Sequence, residues 1–527
     1  MYNVSNYDEN TPVLIVGGSL VGLSTALFLS WHGIPCLLVE RHANISPFSR
    51  AGGFNPRTLE IFRTVGVESA IREAAPDAFK NTKMVRVDTL VGKELGTYLE
   101  NSSNYSMASS PISGCIIPQN ILEPVLKEQA SKLGADLRFA TECVSVEQDD
   151  DGVSAVIRDL SSGQEHRVRA RYLVAADGNK SPIRKKLGIG VQGPGTLTHQ
   201  INIRFHADLQ TVLRDRRFLV CFIANVQGMF GGNENGYFLS APYDLKKESE
   251  QDFLGERGVE LIRSAVGVPD LEVKIQNVVS WEMADWLADH FQQGRIFLAG
   301  DSAHVVPPTG AYGANTGIAD AHNLSWKLAT VIKEQAGSDL LSSYELERRP
   351  ASKLAVEKAY SIYCERLNPE HSSPSTAKEM GYEIPIFGYI YHSKAVYSED
   401  DSLYEDPRIP TGRPGTRAPH ISLESNGQRI SILDLFGRNF VLLAGVEGTP
   451  WCEAASYVAK QLNISLDAYC IDNDLIDVDK SFISTYGISP TGATLVRPDG
   501  FVAWRIPNVS EQPPQELERV LTKVLCR

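Results

Sequence analysis

Gly294-Arg-Ile-Phe-Leu-Ala-Gly-Asp-Ser-Ala-His-Val-Val-Pro-Pro-Thr-Gly-Ala-Tyr-Gly-Ala-Asn-Thr-Gly317 is the stretch whose reading decides the fold. The apolar run Ile296 to Ala299 predicts a strand that delivers Gly300 and Asp301 to a turn. A Pro-Pro-Thr-Gly loop follows, and a helix is expected to open at about Gly313. Such a helix start offers unpaired backbone N–H groups and the positive end of a dipole. Small residues let a flat, anionic cofactor lie against that backbone. Asp301, at the strand end, is placed to hold a ribityl hydroxyl.

A second signature lies far upstream, in Val13-Leu-Ile-Val-Gly-Gly-Ser-Leu-Val-Gly22. A buried strand runs into a Gly-rich turn and an apolar helix, the context a dinucleotide fingerprint requires. Gly17 makes the turn and Gly22 allows close helix–strand packing. Ser19 stands where the pattern wants glycine, so its side chain is expected to crowd a pyrophosphate, although serine is small enough to be tolerated. Glu40 ends the next apolar run, about 20 residues on, where a ribose-binding acid belongs. Taken alone, an ordinary βαβ unit with turn glycines would read the same way. A third motif, Tyr172-Leu-Val-Ala-Ala-Asp-Gly-Asn-Lys-Ser-Pro-Ile-Arg184, is another strand ending in Asp-Gly. Asp177 could fix cofactor or backbone hydrogen bonds there, and Arg184 could attract the phosphates of a mobile nucleotide.

Composition bounds the rest. The 527 residues suggest about three domains. A 43% hydrophobic and 22% charged composition describes a globular protein. The net charge of −13 argues against a nucleic-acid or anionic-membrane partner. Cysteines 36, 115, 143, 221, 364, 452, 470 and 526 show no CxxC and no metal spacing, which suits a reducing cytoplasm. The amino terminus is unlike an export signal. Gly17, Gly18, Gly22, His32 and Pro35 interrupt the Val13–Val39 stretch, so it does not read as a membrane span.

Along the chain, strands and helices alternate to about residue 190. Val153–Ile157 and His166–Ala170 read as antiparallel strands around Ser161-Ser-Gly163. Residues 195–290 look strand-rich, as in Gln200–His206 and Arg217–Ile223. Helices are expected at Leu324–Glu334 and Leu340–Cys364, and a Pro-rich acidic linker at Ser398–Pro419. The last block alternates strands (Phe440–Ala444, Ala493–Val496) with helices (Glu453–Leu462, Pro514–Leu525).

The three motifs, in this order, resemble the class A flavoprotein aromatic hydroxylases, the para-hydroxybenzoate hydroxylase-like enzymes. The fit continues through Asn315, Asp320 and Asn323-Leu-Ser-Trp-Lys327. The Arg50 to Glu60 segment and the extra tail look most like the polyketide-tailoring branch typified by aklavinone 11-hydroxylase. The resemblance implies an α/β fold. A Rossmann-like FAD-binding domain (1–194 and 291–397) would carry a β-rich substrate domain (195–290, with part of 75–115) and a C-terminal thioredoxin-like domain (412–527). It implies FAD, with NADPH or NADH as a transient co-substrate, O₂, and a small phenolic or polycyclic aromatic substrate that takes oxygen from a flavin C4a-hydroperoxide. Assembly as a homodimer stays open.

By the same resemblance, Gly17, Ser19, Gly22 and Glu40 would hold the adenosine end of FAD, and Arg50 its phosphate region. Gln119 would contact the flavin, and Gly300 and Asp301 the ribityl chain. Backbone N–H groups around Ala314 and Asn315 would face the isoalloxazine. Pro308 matches a proline whose carbonyl lies near substrate. Ala311 replaces the second Gly of a common pair. His392, in Gly388-Tyr-Ile-Tyr-His-Ser393, is the candidate base for ionising a phenol; structural packing is the competing reading. His304 is read as fixing its loop. In the tail, Trp451-Cys452 has one cysteine where a redox pair would stand, so thiol–disulfide catalysis is not expected. Trp504-Arg-Ile-Pro507 resembles the end of a halogenase motif, but Val502 replaces its first Trp. A Baeyer–Villiger or antibiotic-inactivating oxygenase, or a flavin-binding protein without turnover, remain the alternatives.

Overall fold

The computed structural model describes residues 7–47, 50–233, 236–367 and 375–527. The first residues of the amino terminus read above lie outside them.

The nucleotide-binding part is built on a mostly parallel sheet. Its strands run Ile296–Leu298, Glu165–Ala175, Glu9–Val16, Cys36–Glu40 and Asp136–Phe139, with Gln292–Gln293 antiparallel at one edge. Val13, Leu14, Ile15, Leu38, Leu173 and Val174 are buried completely. Helices cover both faces of such a sheet, so its strands read as unbroken apolar runs. The Leu20–Trp31 helix packs against Gln119–Lys132 and Tyr312–Ile332. One expectation is modified. His166–Ala170 and Tyr172–Ala175 are one strand, Glu165–Ala175. Its first half pairs antiparallel with Val153–Asp159, and the strand also pairs parallel with Glu9–Val16 and Ile296–Leu298.

The β-rich part is a second sheet. Its order is His304–Val305, Lys274–Ala288, Val191–His206, Gly236–Pro242, Gly228–Asn233, Phe218–Ile223, Lys83–Val87 and Glu94–Leu99. One face carries Ile201, Ile203, Phe205, Cys221 and Leu239 into a core with the Glu256–Val266 helix residues Ile262 and Ala265. His304–Val305 matters for function. It follows Gly300 and Asp301 directly, yet pairs with Trp286 and Leu287 of the second sheet. The cofactor loop is thereby hydrogen-bonded to both parts of the molecule.

The long helices are Tyr312–Ile332 and Ser343–Arg366, the second preceded by a 3-10 turn at Ser338–Ser342. The first therefore includes Leu324–Glu334 almost to its end and begins where the loop glycines stop.

The tail has a four-stranded sheet in the order Leu466–Cys470, Phe440–Ala444, Ala493–Val496, Val502–Ile506. The first pair is parallel and the others antiparallel. Thr449–Leu462 and Pro513–Val524 are its long helices. The tail is not a loose appendage. Phe440 meets Trp326 edge-on at 5.7 Å. Arg497, fully buried, donates to both oxygens of Glu347 at 2.6 and 2.8 Å. Asn323 donates to Glu347 and to Asp499, and Lys327 to Glu347 at 2.6 Å. Removing one member of a buried ionic cluster strands the others without a partner, at a cost of about 3–5 kcal/mol. Arg497→Ala is therefore expected to lower stability by about that amount, measured by urea unfolding of the full chain. A loss near zero would mean the tail contact is dispensable.

Candidate active site

At the fingerprint turn, Gly17 has φ +111°, and a Cβ there would lie 2.2 Å from the Ala176 carbonyl oxygen. A Cβ on Gly22 would lie 1.8 Å from the Gly17 oxygen. Only glycine permits this close passage of strand, turn and helix. Gly17 N–H donates to the Val39 carbonyl, and Gly18 N–H to Glu40 Oε2 at 2.7 Å. The other Glu40 oxygen accepts from the His42 backbone N–H at 2.8 Å.

Ser19 does not point where the sequence suggests. Its hydroxyl donates to Glu123 Oε1 at 2.6 Å, while Gln119 Nε2 donates to Ser19 Oγ at 3.0 Å and to Glu123 Oε1 at 2.7 Å. The side chain is drawn toward the Gln119–Lys132 helix, which explains why serine is accepted here. Burial pushes the Glu123 carboxyl up, against the pull of Ser19, Gln119 and Arg50. Sequence reasoning missed Glu123; the available signal was its helical i,i+4 spacing from Gln119. Arg50 is exposed, and its charge is felt at both Glu123 and Asp301.

Gly300 has φ +62°, and its N–H donates to Asp320 Oδ2 at 3.1 Å. Asp301 is exposed to solvent yet closely surrounded by protein atoms. Burial pushes its carboxyl above the ordinary range, opposed by His304 and Arg50. His304 Nε2 lies 2.7 Å from Asp320 Oδ2, and Arg348 Nε donates to Asp320 Oδ1 at 2.8 Å. Burial works against the charge on Asp320, but His304 and Arg348 hold its carboxyl below the usual value.

The Tyr312–Ile332 helix starts from Ala311, which is left-handed at φ 56°, a conformation that costs a non-glycine residue about 1–2 kcal/mol. Asn315 stitches this helix start to the neighbouring segment. It accepts from Asn55 N–H and from the Thr58 hydroxyl, and donates to the Gly53 and Ala311 carbonyls. Ala314 is half-buried beside it, and Pro308 is exposed on the preceding loop.

Asp177 Oδ2 accepts from Ile183 N–H at 3.2 Å, while its Oδ1 is buried without a partner and burial pushes the carboxyl up. Arg184 is committed within the protein. It donates to the Ser302 and Asn179 carbonyls and stacks over Trp286 at 4.3 Å. That geometry makes it a brace between the Asp177 turn and the cofactor loop.

His392 is not brought beside Pro308 or Asp301. Its ring nitrogens face Ser398 Oγ at 3.2 Å and the Ser402 carbonyl at 2.7 Å, both in its own loop. Its neighbour Tyr391 stacks on Phe501 of the tail, 4.1 Å between centroids. The expected base therefore sits with the tail junction, because the Pro-rich segment doubles back on itself instead of entering the cleft.

A different cation takes the position of interest. Arg366, the last residue of its helix, lies over the Tyr98 ring at 3.9 Å and 5.7 Å from Phe222, on strands of the second sheet. Its Nε is buried without a hydrogen-bond partner. Burial lowers the guanidinium's hold on its proton, while Tyr98, Glu365, Tyr382 and Tyr312 oppose this. Tyr382 donates to the Gly310 carbonyl and Tyr312 to the Tyr382 carbonyl, so this cluster closes on the cofactor loop. Nothing in the local sequence singles out Arg366.

Fold and site together define a flavoprotein of the dinucleotide-binding type. The FAD binding domain family model matches residues 10–359, and the aromatic-ring hydroxylase C-terminal model residues 411–527. The chain belongs to the FAD-dependent aromatic-ring hydroxylases. It is 45% identical over 542 residues to 4-methyl-5-nitrocatechol 5-monooxygenase of Burkholderia sp, covering 99% of this chain and 98% of that one. It is 39% identical over 536 residues to an aklavinone 12-hydroxylase of Streptomyces purpurascens, covering 99% and 100%. The solved structure of aklavinone-11 hydroxylase with FAD and aklavinone superimposes with a TM-score of 0.92 at 38% identity, covering 99% and 100%. The flavin-dependent monooxygenase PieE, with FAD and substrate, gives 0.86 at 30%, covering 99% and 100%. FAD is the cofactor and the chain is a monooxygenase. The glycine cradle, the accessible Asp301 and the orphaned Asp177 oxygen fit that group.

Asp285 adds a pH-dependent element. It is 3% exposed, its Oδ2 has no partner, and burial with Glu357 pushes its carboxyl up to about 7. A raised carboxyl favours folding fully below its unfolded value of 3.8, and that contribution is lost as pH rises to about 7. Asp285→Asn is expected to flatten this loss, unfolding at a higher temperature than wild type at pH 8 and showing no such advantage near pH 4. Thermal scans across that range check it; parallel curves for the two proteins would contradict it.

Proposed function

We propose that the substrate is an acidic phenol or hydroxylated polycyclic aromatic, bound as its phenolate against Arg366 and hydroxylated on the ring. The carrying observation is a cation without a carboxylate partner among the described residues, framed by Tyr98 and Phe222 and beside Tyr312. Ionising the hydroxyl makes the ring a better nucleophile, and a guanidinium stabilises the resulting anion. The names of the relatives, nitrocatechol monooxygenase and aklavinone hydroxylase, support that substrate class.

FAD, when bound, would supply the redox chemistry between NADPH or NADH and O₂. This chain's residues do the rest. Glu40, Arg50, Gln119 and Asp301 hold the cofactor. The N–H groups of the Ala314–Asn315 turn would stabilise negative charge on the flavin ring. Pro308 offers its carbonyl to the substrate. Met229, Trp281, Met283 and Tyr363 provide an apolar surface that excludes water. The nicotinamide binds transiently, because the chain shows one dinucleotide fingerprint. The tail's strand order supports reading it as a thioredoxin-like domain. The structure does bring Cys470 beside Cys452, but burial, with Cys470 adding, pushes the Cys452 thiol up to about 12, which suits a packing role.

The test is Arg366→Met beside Arg366→Lys, assayed for flavin content, NAD(P)H oxidation and product mass with nitrophenols and anthraquinone-type phenols. A charge-assisted hydrogen bond of about 1.5–3 kcal/mol corresponds to roughly a 10–100-fold fall in kcat/KM for Arg366→Met. FAD content should be unchanged, and lysine should recover part of the loss. An undiminished kcat/KM with a product heavier by one oxygen would remove Arg366 from the reaction.

A further inference from the structure

A polar cavity of about 340 Å³ lies away from the flavin site, where the nucleotide-binding part meets the tail. The ends of the Leu20–Trp31 and Tyr312–Ile332 helices, the start of the Phe440–Ala444 strand and the turn at Ile464 and Ser465 converge on it. Two cations line it, Lys333 and Arg438. Each uses one N–H to cap the Leu20–Trp31 helix. Lys333 Nζ donates to the His32 carbonyl at 2.6 Å and Arg438 to the Trp31 carbonyl at 2.8 Å. An ammonium has three donors and a guanidinium five, so most remain unspent.

Both cations are exposed to the cavity, and Arg438 also lies over the Trp31 ring, 4.6 Å to its centroid. Among the described residues neither cation has an ion-pair partner. Burial holds Lys333 below the usual lysine range, and Arg438 lowers it further. His32, the third basic group of the wall, is pushed down to about 3 by burial and by the same two charges, so it is neutral. The carboxylate recorded nearby, Asp467, is engaged by the Asn439 amide at 3.0 Å and is not part of the lining. Gln335, Thr330 and Ser465 add neutral polar groups. Among the described residues the lining holds these two cations and no carboxylate, in a chain of net charge −13.

We infer that this cavity binds a small multivalent anion of the phosphate or polycarboxylate class, which bridges Lys333 of the nucleotide-binding part to Arg438 of the tail and clamps the two together. The anion relieves the Lys333–Arg438 repulsion, and its binding to the folded state alone raises stability by mass action.

The experiment uses the full-length, FAD-loaded enzyme, in which the cofactor's own phosphate site is filled. Thermal unfolding is followed against inorganic phosphate and against citrate, with sodium chloride at matched ionic strength as control. The expected result is a saturable rise in Tm with phosphate or citrate and none with chloride. Lys333→Met and Arg438→Met should abolish the rise while keeping FAD content and NAD(P)H oxidation. Lys333→Arg, which keeps both charge and cap, should retain the rise and guards against a folding defect in the methionine variants. A Tm that follows ionic strength alone, or a phosphate effect of equal size in both methionine variants, overturns the inference.

Discussion

The Asp320 carboxylate is the interaction on which the rest of the site depends. It is fully buried and takes three donors or positive groups at once: the Gly300 N–H, the His304 ring and the Arg348 guanidinium. Gly300 shapes the turn that presents Asp301. His304 is paired with the substrate sheet through Leu287. Arg348 carries the link outward to Tyr391, which stacks on Phe501 of the tail. A buried charge is expensive unless its hydrogen-bonding capacity is filled. Here the filling comes from separate segments, so none can shift without leaving Asp320 exposed to that cost.

This arrangement explains why a tail without a redox motif belongs to the enzyme. Its Arg497 and Asp499 complete the polar cluster at Glu347, Lys327 and Asn323. Arg57 then ties the Asp499 carbonyl to the helix beginning at Pro56, whose cap Asn55 meets Asn315 at the start of the Tyr312–Ile332 helix. The tail thus buttresses the middle of the Tyr312–Ile332 helix directly and its start through Arg57 and Asn55.

The sequence made the cofactor half of the site readable, for physical reasons. Strands buried on both faces appear as runs such as Val13–Val16 and Cys36–Val39, and the turns between them need glycine. Phe440–Ala444 and Ala493–Val496 were equally plain because their composition leaves no amphipathic alternative. The substrate half was much less legible. Arg366 and Asp285 acquire meaning only from residues far away in sequence: Tyr98 and Phe222 for one, Glu357 across a helix for the other. Ser19 reads only as a tolerated departure from glycine because its acceptor, Glu123, lies 104 positions later. His392 looked like a base because an isolated histidine near tyrosines carries no mark of where its loop folds.

The most direct test of the central claim is the FAD content of folded Asp320→Asn, read from the flavin absorbance after gel filtration, with circular dichroism confirming the fold. An amide keeps the shape but loses the charge that holds His304 and Arg348. The account predicts a folded protein that has lost most of its FAD and regains it only at much higher cofactor concentration. A folded Asp320→Asn that retains FAD at wild-type stoichiometry and affinity would contradict it.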